Sequence, residues 1–244
     1  MPEIYSMSSY PFRFVFSFIV MLSSHPVMSQ SEHEWTREEL LGQINPASNA
    51  DFVVIRSNYT RKTDIYLREE TYQAFEAMWK AAKDDGIRLE IISATRTWGA
   101  QKGIWNRKWD SPRFMGFEAL ERAREILKYS SMPGTSRHHW GTDIDLNSLE
   151  NEWFESGEGL QVFQWLTQFA PEFGFHQVYT EKSQGRTGYE EERWHWSYIP
   201  LSRSFLNQYV ELICDDEFDG FKGSEYVDSL KIIQSYVQGV QEPR

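Results

Sequence analysis

Between residues 68 and 85 the apolar side chains Tyr72, Phe75, Met78, Trp79 and Ala82 recur at steps of three and four positions. That period keeps one face of an α-helix apolar, so the segment reads as an amphipathic helix closed at Asp85-Gly86. Leu89-Glu90-Ile91-Ile92-Ser93 follows as a buried strand, and the short run over 51–55 has the same β character. Further helices are expected over 100–109, 118–129 and 160–169, with a turn at Met132-Pro133-Gly134-Thr135. Residues 174–179 read as extended, and 194–199 as a strand or its end. Residues 31–48 are polar apart from a short turn at Leu40 and Leu41, and end at Asn45-Pro46; residues 203–240 lean towards helix and are acidic. No internal repeat or low-complexity linker interrupts the chain. Helices interspersed with short strands, without a regular βαβ rhythm, predict an α+β fold.

The N-terminal pattern is different. An apolar run over 14–22 follows Arg13 and precedes Ser23-Ser24-His25-Pro26, and Val27 and Ser29 occupy the −3 and −1 positions of a cleavage site before Gln30. As a helix this run would rise only about 14 Å against a hydrocarbon core of about 30 Å. Residues 1–29 are therefore expected to be a secretory signal, leaving 30–244 as a single exported domain with no stable membrane insertion. No cysteine stands near the cut, so a lipid anchor is not indicated.

Composition narrows the function classes. The 244 residues are 40% hydrophobic and 16% aromatic with ten Trp, enough for a sizeable core and unlike a disordered chain. The formal charge of −11 is unchanged by loss of 1–29, which removes one acid (Glu3) and one base (Arg13). An acidic surface of this kind argues against a nucleic-acid partner. The single cysteine, Cys214, excludes an intramolecular disulfide framework and a Cys-rich zinc finger, and is expected to be a small core residue. A metal site would have to use His, Asp and Glu.

Three places carry candidate chemistry. In Ser136-Arg-His138-His139-Trp-Gly141-Thr-Asp143-Ile-Asp145, an imidazole and a carboxylate seven residues apart can meet at one ion if the chain turns back at Gly141. Taken alone, such a pair is more often an ordinary hydrogen-bonded one. In Glu190-Glu191-Glu192-Arg193-Trp194-His195-Trp196, a His on an extended segment points opposite to both flanking Trp residues and can face a cleft that Glu192 also approaches. A packed core His beside a solvated acidic run is the plainer account. In Ser93-Ala-Thr-Arg96-Thr-Trp-Gly-Ala-Gln101, an Arg at a strand end can meet an anion, or simply form a surface ion pair. His33 and His176 attract no functional reading, and Ser93 lacks a Gly-x-Ser-x-Gly setting.

Together the three pieces resemble the M15 zinc peptidases, the D-alanyl-D-alanine carboxypeptidase and VanY-like group. The matching motifs are Ser136-x-His138-x-x-Gly141-x-x-x-Asp145, then Glu192-x-x-His195 in its Trp-His-Trp setting, and Ser93-x-x-Arg96-Thr97 with Gln101 five residues on. The resemblance covers roughly residues 40–200. It implies a Hedgehog/DD-peptidase-like fold, a small antiparallel sheet with flanking helices. It also implies one zinc ion held by His138, Asp145 and His195, with a fourth position open as catalysis requires.

By the same resemblance Glu192 is the general base and Arg96 stabilises the oxyanion. Ser136, Gln101 and Ser93 line the substrate cleft, and Trp194 and Trp196 wall it. The implied reaction is hydrolysis near the C-terminus of a peptidoglycan stem peptide, releasing D-alanine. D,D-dipeptidase and L,D-carboxypeptidase activities belong to the same group, and a non-catalytic cell-wall binding module of the same fold is the reading from another class. His139 and Asp143 neighbour the implied ligands and are chemically equivalent to them, but the spacing from His138 to Asp145 fits the family. Relatives usually carry a small apolar residue where Asp143 stands. Here a carboxylate can support a ligand His or reach a cationic substrate group.

Overall fold

Thr36 and Glu39 form a reciprocal capping box that opens the first helix, α1 (Arg37–Leu41), which Gly42 ends in a left-handed conformation. The computed structural model describes residues 33–241 and Pro243; the expected signal over 1–29 lies outside them. Strands β1 (Phe52–Val54) and β2 (Tyr66–Arg68) pair antiparallel. They lead into α2 (Glu69–Asp84), the helix its apolar period predicts. β3 (Ile91–Ser93) is followed by α3 (Trp98–Trp109), α4 (Pro112–Met115) and α5 (Ala119–Leu127). β4 (Asp143–Leu146), α6 (Gly157–Phe169), β5 (Phe175–Gln177), β6 (His195–Tyr198) and α7 (Ile199–Leu212) complete the framework, with the short α8 (Val227–Leu230) beyond.

A second sheet has the order β3-β4-β6-β5, every neighbouring pair antiparallel. The fold is therefore α+β with small antiparallel sheets, as the element pattern implies. β4 was not legible as a strand, because Asp143-Ile144-Asp145-Leu146 is buried on both faces and its carboxylates disguise the apolar alternation. Ile144 and Leu146 join Trp196, Tyr198 and Phe175 in a hydrophobic layer closed by Phe75 and Met78 of α2 and by Val162 and Leu166 of α6. The other face of β4 and β6 presents Asp143, Asp145, His195 and Ser197. A second cluster joins α1, α3, α5 and α7 through Leu40, Trp105, Ile126, Phe205 and Tyr209.

One expectation is met and one is corrected. The helical lean over 203–240 is realised by the end of α7 and then in short pieces, 3-10 turns at Asp215–Glu217 and Ser224–Tyr226, α8, and one turn of π-helix (Ile233–Val237). Phe218, Phe221, Val227, Leu230 and Ile232 are the buried anchors of this stretch. Cys214 is exposed, because the chain leaves α7 extended and the neighbouring Ile213 takes the inward position. Among the described residues no helix is long and apolar enough to cross a membrane.

Candidate active site

Strand register sets the first contacts. Ser93 of β3 stands opposite Asp145 of β4, and Asp145 opposite His195 of β6, so the three form one row across the sheet. His138 comes from a 3-10 turn (Arg137–Trp140) just before β4. Gly141 ends that turn at φ 75°, and a Cβ there would lie 2.5 Å from the Phe52 ring, so the reversal towards β4 needs glycine. The His138 backbone carbonyl accepts from the Arg96 N–H at 3.0 Å, tying the turn to the segment after β3.

The geometry brings His138, Asp145 and His195 together, with potential ligand atoms all within 4.8 Å of one another. His138 Nε2 lies 3.3 Å from Asp145 Oδ1, and His195 Nδ1 lies 3.1 Å from the same oxygen. Atoms at zinc-ligand distance in a tetrahedron stand about 3.4 Å apart. His138 Nδ1–H donates to the Ala94 carbonyl at 2.9 Å, which leaves Nε2 with its lone pair. That Nε2 is buried and has no hydrogen-bond partner. An orphaned buried acceptor beside a carboxylate and a second imidazole fits a divalent cation, and nitrogen and oxygen donors of this kind fit zinc.

The electrostatics of His138 and Asp145 agree with that donor set, whereas His195 has to give up a proton to join it. Burial, helped by Arg96, holds the His138 imidazole below its ordinary value, in its neutral, lone-pair form. Although burial opposes its charge, the His138 and His195 imidazoles keep Asp145 well below the usual carboxylate range. Burial also opposes a charged His195, yet hydrogen bonds to Asp143 and Asp145 push it up to about 9. Burial pushes Glu192 up to about 7, against the opposing pull of His195, Arg96 and Lys108. Glu192 Oε2 lies 3.8 Å from His195 Nδ1.

These groups open onto a cavity of about 620 Å³ whose wall includes Ser93, Arg96, Ser136, Glu192 and Trp194. Arg96 Nη2 lies 3.6 Å from Asp145 Oδ2. Gln101 is not on the wall. It is fully buried, accepts from Arg96 Nη1 at 2.9 Å and donates to the Ser131 carbonyl at 2.7 Å, so it holds the guanidinium instead of facing the cleft. Trp196 is also off the wall. Strand alternation turns it into the apolar layer, while Trp194, ahead of β6, borders the cavity.

His139 is committed elsewhere: its Nδ1 meets the Arg96 carbonyl at 2.6 Å and its Nε2 accepts from the Gly134 N–H at 3.1 Å. Burial pushes it down to about 3, so it stays neutral. Asp143 is buried behind His195, with Oδ1 3.1 Å from His195 Nε2 and 3.2 Å from Arg137 Nε. Its cationic partner is thus a residue of this chain.

Sequence reasoning missed Lys108 and Arg113, which add positive charge to the wall, and Tyr179, whose ring lies 4.6 Å from that of His195. Lys108 closes α3 beside Arg107, where basic residues are common for helix-dipole reasons alone. Only folding distinguishes it.

Comparison with known proteins gives the chain's relatives and its family. A putative carboxypeptidase, YodJ, of Bacillus subtilis is 28% identical over 160 residues, 64% of this chain and 55% of the relative. A D-alanyl-D-alanine carboxypeptidase of Enterococcus faecalis is 26% identical over 187 residues, 77% of this chain and 66% of the relative. The chain thus spans between about half and two thirds of the length of these curated relatives. Among solved structures, VanYB in complex with D-alanine-D-alanine matches with a TM-score of 0.51 at 22% identity, over 75% of this chain and 91% of that one. The LD-carboxypeptidase LdcB matches with the same TM-score of 0.51 at 22% identity, over 74% and 78%. Both likenesses concern the fold. The sequence profile described as VanY: D-alanyl-D-alanine carboxypeptidase matches residues 64–201, more than half of the chain, a span that includes His138, Asp145 and His195. The chain belongs to the VanY D-alanyl-D-alanine carboxypeptidase family.

Proposed function

We propose that this chain is an exported, zinc-dependent carboxypeptidase that hydrolyses the C-terminal peptide bond of peptidoglycan stem peptides and releases D-alanine. In this reading residues 30–244 are the peptidase domain, and His138, Asp145 and His195 hold one zinc ion. The observation that carries it is the convergence of the three ligand groups within 4.8 Å around a buried, unpartnered His138 Nε2. The substrate class is supported by the name of the Enterococcus faecalis relative and by the dipeptide in the VanYB complex.

A zinc ion at this site supplies a Lewis acid that polarises the scissile carbonyl and eases deprotonation of the attacking water. Glu192 takes that proton and delivers it to the leaving amine, a role suited to a carboxylate whose burial moves it to about 7. Arg96, braced by Gln101, donates to the oxyanion of the tetrahedral intermediate. Ser93 and Ser136 bind the substrate backbone from the wall. Lys108 and Arg113 place cationic groups on the wall, either of which can meet the free carboxylate at the end of such a substrate.

The test is mass spectrometry of a stem pentapeptide ending in D-Ala-D-Ala and of the matching tetrapeptide, each incubated with the zinc-loaded protein and with E192A. Loss of one alanine from the pentapeptide alone establishes a D,D-carboxypeptidase. Loss from the tetrapeptide makes it an L,D-enzyme, and release of a dipeptide makes it a D,D-dipeptidase. No cleavage with zinc bound favours the non-catalytic wall-binding module, against which Glu192 and Arg96 both stand on the cavity wall.

A further inference from the structure

Behind the three ligand groups lies a second, drier set of charges. Asp143 is fully buried at 0% side-chain exposure and Arg137 at 1%, so neither reaches a substrate. Asp143 Oδ1 meets His195 Nε2 at 3.1 Å and Arg137 Nε at 3.2 Å, while Oδ2 accepts from Thr142 Oγ1 at 2.6 Å. Arg137 Nη2 donates to Ser197 Oγ at 2.7 Å, and Ser197 Oγ donates to Ser202 Oγ at 3.0 Å. Ser197 is itself the residue opposite Asp143 in the β4–β6 ladder. The ion pair therefore joins the turn that carries His138, the strand that carries Asp145 and the strand that carries His195.

An imidazole can bind a cation only through a nitrogen without a proton. The Asp143 carboxylate, already fed by Arg137 and Thr142, offers only acceptor capacity to His195 Nε2. Asp145 Oδ1 is an equal acceptor at 3.1 Å from Nδ1, so without a cation both ring nitrogens face carboxylates. When a cation takes Nδ1 in place of its proton, Asp143 keeps the remaining proton on Nε2 and with it the orientation of the ring. A neutral acceptor would also allow the opposite tautomer.

We propose that Asp143, held by Arg137, is a positioning residue that sets the His195 tautomer and orientation for metal binding. This rests on the zinc reading above. Outer carboxylate–histidine pairs of this kind change metal affinity by about 10- to 100-fold.

The experiment measures zinc affinity by competition with a chromophoric chelator for wild type, H195A, D143N and the double variant R137M/D143N. Thermal unfolding of the zinc-free proteins is followed in parallel. The double variant removes both buried charges, so it reports even if D143N alone leaves Arg137 unpaired and does not fold. Wild type binding zinc and H195A losing it tests the metal site. Against that background, a 10- to 100-fold weaker affinity in the folded Asp143 variants supports the inference. Wild-type affinity in either folded variant overturns it, whatever happens to their unfolding temperatures. At saturating zinc the variants are expected to keep the wild-type KM, since Asp143 does not touch the cavity; a raised KM with unchanged zinc affinity also overturns it.

Discussion

Glu192 and Gln101 show how two residues at similar depth take different parts. Glu192 is buried but opens onto the cavity, whereas Gln101 is buried behind Arg96. E192A is expected to fold, to retain zinc, and to lose about 10²- to 10⁴-fold in kcat, the usual contribution of a general base; turnover and metal content measured on one preparation check this. Q101A removes the brace on the Arg96 guanidinium, a hydrogen bond to a charged group of about 1.5–3 kcal/mol. Its kcat/KM is expected to fall by about tenfold or more with zinc content unchanged, as steady-state kinetics with a metal assay would show.

At the scale of elements, the site depends on how α1 and β2 pack beneath the His138 turn. Arg68 at the end of β2 donates to Glu39 of α1 at 2.7 Å and to the Trp140 carbonyl at 2.9 Å, with its guanidinium over the rings of Trp35, Phe52 and Phe205. Burial works against the Glu39 charge, but Arg68 and the Thr36 cap hold its carboxyl below its ordinary value. A carboxyl lowered on folding contributes stability that is present above its unfolded pKa of about 4.3 and lost as pH falls through the folded value. E39Q is therefore expected to cost about 1–3 kcal/mol at pH 7. The gap to wild type should close below about pH 4, which urea unfolding at a series of pH values would measure. Gly42 makes the next contact. A Cβ on it would lie 2.3 Å from His139 Nδ1, at a φ of 70°. G42A is expected to destabilise by about 2–4 kcal/mol, from overpacking and the left-handed backbone together, with denaturant unfolding as the check.

For the whole molecule, the proposed metal site is a junction of the sheet with a turn that the second hydrophobic cluster supports. Trp140, in the same turn as His138, packs against Phe205 with ring centroids 5.6 Å apart. A ligand that binds only the folded chain stabilises it in proportion to its occupancy, by about 4 kcal/mol at a thousand times Kd. For a domain of this size that corresponds to a rise of about 8–16 °C in Tm. Zinc added to chelator-treated protein is expected to produce such a rise, and calorimetry with and without EDTA measures it. No change in Tm would mean that the cluster does not hold zinc.

The sequence by itself determined the elements whose signal is local. The apolar period over 68–85 gave α2 and the Leu89–Ser93 run gave β3, signals that depend only on chain geometry over a few residues. The spacings within 136–145 and 192–195 left alternatives open; it was the resemblance of the motifs, taken together, to a known family that singled out the residues that meet at the cluster. Tertiary structure alone decided what each chemically equivalent neighbour does. Asp145 rather than Asp143 meets both His138 and His195 Nδ1, because the ladder places Asp145 opposite His195 and Asp143 opposite Ser197. His139 turns away because Gly134 and the Arg96 carbonyl occupy its two nitrogens. Gln101 faces Arg96, Trp196 faces the apolar layer, and Lys108 faces the cavity. Such choices are made by strand register and by hydrogen bonds between residues far apart in the chain, and neither leaves a mark in local spacing.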